Sequence, residues 1–596
     1  MNKKNIARIS LTSFSLLLLA SCAQVSQPEI CSSDITPIHA IQGASFESPL
    51  LGQQETTRGI VTAKWQNSDQ LGGFFIVSHE DDQDNNSLTS EGLFIQHQQN
   101  VPELKQGDLV YLTGTVEESN NLTQLNDIAH VAVCDSGYAV KPTPLTLPVE
   151  TLGNFEALEG MPVSIAQNLI INGHYQLLRH GQFDVAHERL FTPTQHVQPG
   201  AEAQAQATAN ALARLVIDDN LAPNPKAPAQ PIQTITATNT VRSGDKLAPI
   251  QGILSNFRDS YRLQPTSTVE VIHSNPRPAA PESPATNTVR VAAFNVLNYF
   301  NGEGKNKQFP TERGAKTQAE FQRQHAKIVA ALSQLNADII GLLELENDGY
   351  DKHSAIVELT NALSQVTGQP WRFIQAASGR FGTDDITNGL IYRSDKVTPQ
   401  GDPLTITQAP FGERSRLPLI QRFSPQNTVE NLVVAVNHFK SKGGCPKDSS
   451  NPNANQNDGQ ACWNEARVQS ANLLADFMDN HNDLKRFPLR VLMGDFNAYA
   501  QEDPIQTLLK RGYYNRIDAF NPYAYSYVYD AQAGSLDHLL VSSQLTARVV
   551  NQAIWSINAD EPTLLQYNNA EINEQWYAPL PYRASDHDPV FADIQF

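Results

Sequence analysis

Ser585-Asp586-His587-Asp588 and Gly494-Asp495-Phe496-Asn497 place carboxylates, an amide and an imidazole in two short runs, and Asn295, Glu344, His438 and Asp537 precede or separate them. Carboxylate and amide oxygens are hard donors that suit Mg²⁺ or Mn²⁺. Histidines gain and lose protons near neutral pH. In this combination the groups suit one reaction, the cleavage of a phosphodiester with help from a divalent ion.

Such residues act together only if the chain brings them together. Val289–Ala293 runs apolar into Asn295, Ile339–Leu343 into Glu344, Leu432–Val436 into His438 and Leu489–Met493 into Asp495, and a further strand is expected to end just after Asp537. Apolar runs that each stop at one acid, amide or imidazole read as buried strands whose polar ends meet at a sheet rim. Between the first two, Phe321, Ile328, Val329, Leu332 and Leu335 recur at helical spacing. A polar residue that merely terminates a strand is the plainer reading; it suits one such position and not five. His538 adjoins Asp537 but points to the opposite face by strand alternation.

With their flanks, Phe294–Phe300, Leu342–Asn347, Asn437–Gly443, Gly494–Asn497, Leu536–His538 and Ser585–His587 resemble the endonuclease/exonuclease/phosphatase superfamily, which includes pancreatic deoxyribonuclease and the abasic-site endonucleases. Within it, the likeness is to the ExeM/NucH-type bacterial extracellular nucleases. The resemblance implies an α/β fold: a C-terminal four-layer α/β sandwich, preceded here by a β-rich, OB-like N-terminal region. It also implies roles. Glu344, with Asn295 and Asp586, corresponds to the metal site; Asp495 and Asn497 to the pair that orients the attacking water and holds the phosphate. His587 corresponds to the catalytic imidazole oriented by Asp537, and His438 to a second histidine that donates to the phosphate or the leaving group. Asp385, with Asp384 beside it, is the candidate to orient His438, and Lys440, Lys442 and Arg467 are candidate phosphate contacts, with ordinary surface or core-edge placement as the rival for Lys442 and Arg467. Mg²⁺ or Mn²⁺ is the expected cofactor, with Ca²⁺ a further candidate.

The 596-residue chain is long enough for several domains, and its formal net charge of −19 argues against a protein that coats nucleic acid through basic faces. It does not argue against an enzyme that concentrates positive charge only where the phosphate sits. Lys3, Lys4, Arg8 and the apolar Leu11–Leu19 read as an export signal over 1–22, and Leu19-Ala20-Ser21-Cys22 as a lipobox that would make Cys22 the lipid-bearing first residue. An ordinary secretory signal is the rival. Ala23 after the cysteine points to the outer membrane. The remaining cysteines form an even set, for which Cys31–Cys134 and Cys445–Cys462 are the expected bridges by sequence proximity; four cysteines allow three pairings, and no CxxC spacing supports zinc.

Short apolar or alternating runs over 31–135 suit a small OB-like barrel, whose Phe74, Phe75 and Phe94 either pack the core or stack bases. The acidic turn Glu80–Asp84 is a possible Ca²⁺ loop, or a solvated turn. Residues 147–272 read as a second β-rich domain without chemistry of its own, with a helical patch at Ala201–Leu215. The proline-rich 273–288 reads as an extended spacer, 289–596 as the catalytic domain, and Gly443–Trp463 as a long insert beside His438. The leading expectation is an exported or surface-anchored metal-dependent endonuclease or exonuclease that hydrolyses DNA, with RNA a second candidate, by in-line attack of water. It contacts the membrane only through its lipid and needs no protein partner. The alternatives are a phosphodiesterase of the same fold acting on a phospholipid or small phosphoester, and an inactive surface binding protein.

Overall fold

The computed structural model describes residues 29–97, 104–221, 235–258, 260–302 and 308–596; the expected export signal and the expected lipidation site Cys22 lie outside them. Five strands, Gln54–Trp65, Gly73–Val77, Gly92–Gln96, Leu109–Ser119 and Leu122–Asp135, close an N-terminal barrel in which the third strand pairs parallel with the fifth. Phe74 points into its core, while Phe75 and Phe94 pack on each other at 4.7 Å and against Ile253 of the following domain. These rings are buried and serve packing. Cys31 and Cys134 are bridged, as are Cys445 and Cys462.

A nine-stranded sheet follows over residues 143–272, with a helix at Ala201–Ala213 on its flank. The proline-rich segment after it is a strap on the catalytic domain rather than a free spacer. Arg277 pairs with Glu561 at 2.7 Å and stacks over Tyr582, Trp555 Nε1 donates to Ala279 O, and Arg290 donates to Glu282 O. Proline density alone predicts an extended chain; the polar partners along it decide that the chain lies against a surface.

The C-terminal domain is built on two six-stranded mixed sheets packed face to face. Val291, Ala293, Ile339 and Leu343 from one sheet meet Val434, Val436, Val491 and Met493 from the other in a wholly apolar layer. Gly341 makes this approach possible, because a Cβ there would meet Val436 and the Met493 methyl at 2.8–2.9 Å. Helices Gln318–Leu335 and Ala355–Thr367 cover the outer face of the first sheet, and Asn464–Asn480 and Asp503–Lys510 that of the second. Phe321, Ile328, Val329, Leu332 and Leu335 are the buried stripe of the first helix, which Thr317 caps by accepting from Glu320 N. The result is a four-layer α/β sandwich, with both sheets buried on both faces as their near-continuous apolar strands require.

Candidate active site

Strand register assembles the site. In the second sheet, His438 pairs with Asp495 across a parallel ladder, and Asp495 pairs with Asp537 across an antiparallel one. Three groups from distant sequence thus stand side by side at one rim. Sequence pattern leads one to expect a strand ending just after Asp537, but the strand Asp537–Ser542 begins there. An antiparallel strand presents its first residue where its parallel-running neighbours present their last, so Asp537 still reaches the rim.

The first sheet supplies its groups by interrupting its own ladder. Glu344 is left-handed at φ 60°, as are Leu297 and Asn298 on the neighbouring strand, and the pairing shifts register between Asn295 and Tyr299 and between Leu342 and Leu345. A non-glycine residue held in that region costs on the order of 1 kcal/mol or more, and such bulges re-aim side chains. Here the bulges let Asn295 Nδ2 and Asn298 N donate to the two oxygens of Glu344 at 3.2 and 3.1 Å.

His587 Nδ1 sits 2.7 Å from Asp537 Oδ2, and Ser526 Oγ donates to the same oxygen at 2.7 Å. Tyr527 stacks on the His587 ring at 4.6 Å. Asp495, Asp537 and His587 offer ligand-type atoms all within 4.8 Å of one another. Asn497, left-handed at φ 49°, donates its backbone N–H to Asp495 Oδ1 at 2.8 Å and its Nδ2 to Phe439 O at 3.1 Å. His538 lies on the other face of the strand, where Nε2 meets Ala498 O at 2.8 Å.

Charges at the site are strongly displaced. Burial pushes Asp495 up to about 7 against the opposing pull of His587, with Asp537 and Glu344 pushing the same way. Glu344 is raised by burial and then by the charge of Asp586. Burial opposes the charged form of His587, but Asp537, Asp586 and Asp495 outweigh it and hold the imidazole well above its ordinary value. His438 goes the other way, pushed well down by burial and by Arg416, His587, Arg313 and Lys440. The two histidines therefore have opposite protonation near neutral pH.

Glu344 is raised partly by the charge of Asp586, a repulsion that a divalent cation held by their carboxylate oxygens would relieve, while Asn295 turns its amide nitrogen to Glu344.

Three expected side chains stand elsewhere. Asp385 is half-exposed and faces Arg313 at 4.0 Å, while His438 Nδ1 is buried without a hydrogen-bond partner among the described residues, so Asp385 does not orient it. Lys442 Nζ donates to Glu502 at 2.5 Å and to Gln460 O at 3.0 Å. Arg467 is fully buried, donating to Cys462 O and Gln460 O. Both cations bind the disulfide-closed insert to the domain, and a strongly polar, carbonyl-rich loop competes successfully for them. The cations acting on His438 are Arg416, Arg313 and Lys440, of which the first two have no motif to announce them.

Ser526 and Tyr527 also escape a reading by motif, as does the means by which they are held. Their hairpin, Tyr527–Tyr529 with Gln532–Gly534, is bound by the second β domain. Thr192 N donates to Ala533 O, Ser535 N to Gln195 Oε1, Asn210 Nδ2 to Gln532 Oε1, and Arg214 pairs with Asp530 at 2.8 Å. The same domain reaches the His587 loop from the other side. Arg242 pairs with Asp560 and Glu561, while the nearby Asn558 donates to His587 O and its backbone N–H to Asp588. The region without chemistry of its own thus grips both arms of the His587–Asp537 pair.

The described helices include none long and apolar enough to cross a membrane. No curated protein matches the chain. Among solved structures it is similar to a humanized D. rerio TDP2 (13% identity, 52% of this chain and 100% of that one, TM-score 0.34). It is also similar to an endonuclease/exonuclease/phosphatase family protein from Bacteroides thetaiotaomicron (16%, 53% and 99%, TM-score 0.35) and to the human Nocturnin catalytic domain with bound sulfate (14%, 52% and 96%, TM-score 0.32). The model of the Endonuclease/Exonuclease/phosphatase family matches residues 292–587. Residues 292–587 thus form a domain of the endonuclease/exonuclease/phosphatase family, whose members are hydrolases of phosphoester bonds that generally depend on a divalent metal.

Proposed function

We propose that this protein is an exported, divalent-metal-dependent nuclease that hydrolyses the phosphodiester bonds of DNA by in-line attack of water. The observation that carries the reading is the row His438–Asp495–Asp537 across adjacent strands, with His587 paired to its last member. Glu344, Asp586 and Asn295 would hold the ion, which when bound supplies positive charge beside a phosphate oxygen and the departing alkoxide. Asp495, pushed up to about 7, is matched to taking a proton from water at neutral pH. Asn497 is fixed two residues away by its bond to Phe439 O and orients that water and the phosphate. The water oxygen forms the new bond to phosphorus as the bond to the sugar oxygen breaks. His587, kept charged by Asp537, stabilises the phosphate and gives the leaving oxygen its proton. His438 is neutral and donates its remaining N–H to a phosphate oxygen.

A polyanionic substrate is supported by the cations Arg416, Arg313 and Lys440 around His438 in an otherwise acidic chain. The two bridges support an oxidising, exported setting, and the lipobox-like Leu19–Cys22 supports an outer-membrane lipid anchor. The test is a gel assay of supercoiled and linear DNA with Mg²⁺, Mn²⁺ or Ca²⁺. Cleavage that stops with EDTA is expected. Intact DNA alongside turnover of a phospholipid or small phosphoester would replace this reading with another substrate on the same site.

A further inference from the structure

The N-terminal barrel holds a second cluster of ligand-type side chains, far in sequence from the motifs above. His39 comes from the helix Ile38–Gln42, Asp84 from the turn after Glu80–Asp82, and Glu91 from the residue preceding the strand Gly92–Gln96. One imidazole nitrogen and two carboxylate oxygens, one from each, lie within 4.8 Å of one another. His39 Nδ1 and Glu91 Oε2 are both buried and face one another as an ion pair, and neither has a hydrogen-bond partner among the described residues. Glu91 as a residue is only 9% exposed, and its other oxygen accepts from Asp84 N at 3.0 Å, which points Oε2 at His39.

The separation of the two orphaned atoms is informative. At 3.6 Å they stand too far apart for a hydrogen bond. Two ligands about 2.0–2.1 Å from one tetrahedral ion are separated by about 3.3–3.4 Å, so a small side-chain adjustment brings both onto a common centre. Glu91 Oε2 has only the His39 imidazole before it, at ion-pair distance, and a buried carboxylate oxygen without a hydrogen bond costs about 1–3 kcal/mol, which an ion held between the three segments would offset. Asp84 is the exposed member; its oxygens accept from Asn86 N and Thr89 Oγ1, which fixes the carboxylate in place.

We propose that His39, Asp84 and Glu91 bind a divalent transition ion of the Zn²⁺ type, separate from the catalytic site. An imidazole with two carboxylates suits Zn²⁺ or Mn²⁺, whereas Ca²⁺ takes six to eight oxygens and has little use for nitrogen. The location suggests what the ion does. Ser90 Oγ donates to Glu159 O, Gln42 Nε2 donates to Gly92 O, and Gly92 lies so close to Gly160 that no Cβ fits between them. The ion joins helix, acidic turn and strand where the barrel rests on the second domain.

The test uses the full chain carrying Glu344→Gln and Asp495→Asn, which take a carboxylate from each ligand-type group of the catalytic site, stripped of metal and dialysed against Zn²⁺. One bound equivalent is expected, with a rise of several degrees in the melting temperature. Adding His39→Ala or Glu91→Gln should weaken zinc binding about ten-fold or more and abolish the rise. Glu91→Gln retains an oxygen for Asp84 N, and the exposed Asp84→Asn gives a third variant that leaves the core untouched. Equal zinc content and equal melting shifts in all of these proteins would overturn the site, and so would uptake of Ca²⁺ without Zn²⁺.

Discussion

His587 Nδ1 lies 2.7 Å from Asp537 Oδ2, and Ser526 Oγ reaches the same carboxylate oxygen, so one buried acid sets both the orientation and the charge of the imidazole. Asn in place of Asp would keep the shape and lose the charge. Asp537→Asn is expected to lower kcat by about 10²–10⁴ with little change in melting temperature. Turnover of plasmid DNA within a few-fold of the parent would contradict this.

Asp495 stands between His438 and Asp537 in the ladder, and its Oδ1 accepts from Asn497 N. Asp495→Asn keeps that acceptor, so the turn survives, while the group proposed to take the water proton is gone. A fall in kcat of about 10³ is expected. The metal-stripped variant should melt no lower than the parent at pH 8, where the parent buries a carboxylate against other acids.

Lys327 Nζ is buried and donates to Tyr582 O at 2.7 Å. Burial, with Arg277 and Arg583, brings it down to about 7, against about 10.4 when unfolded. Between those values the unfolded chain binds a proton that the folded chain does not, so this group's contribution to stability rises with pH across that window. The melting difference between Lys327→Met and the parent should therefore be most favourable to the variant near pH 6 and shrink toward pH 10. A difference independent of pH would refute the shift.

Gln195 accepts from Ser535 N and Arg214 pairs with Asp530, both on the hairpin that carries Ser526 and Tyr527. Gln195 and Arg214 both belong to the second β domain, outside the catalytic sandwich. Gln195→Ala, which leaves a buried N–H unpaired at about 1–3 kcal/mol, is expected to lower kcat about ten-fold with KM nearly unchanged, because it loosens the support of the His587–Asp537 pair. A pH–rate profile unaltered from the parent, with full kcat, would limit the second domain to packing.

Cys445–Cys462 closes the insert over a sequence separation of 17, against which Arg467 and Lys442 are fixed. Loop-closure entropy makes such a bridge worth about 3 kcal/mol. Cys445→Ser with Cys462→Ser should lower stability by roughly that amount in chemical denaturation. Reductant should then no longer affect that loop.

The catalytic domain was legible because its strands are buried on both faces: each apolar run had to be continuous, so the polar residue at its end stood out. Asn295, Glu344, His438 and Asp495 were visible for that reason, and the helix carrying Phe321 and Leu332 through its period. Lys442 and Arg467 misled because a cation beside a motif looks the same whether it meets a phosphate or a carbonyl. Asp385 misled because proximity in sequence to a strand says nothing of which loop it faces.

Local sequence thus determined which strands form, where they stop and which chemical groups stand at their ends, since burial and alternation act over a few residues. Register, bulges and domain docking were decided only in three dimensions. Cross-strand pairing placed His438, Asp495 and Asp537 in one row, left-handed backbone aimed Glu344, and a distant β domain gripped the hairpin of Ser526 and Tyr527. Those outcomes depend on partners tens to hundreds of residues away, whose competing hydrogen bonds and charges no local pattern records.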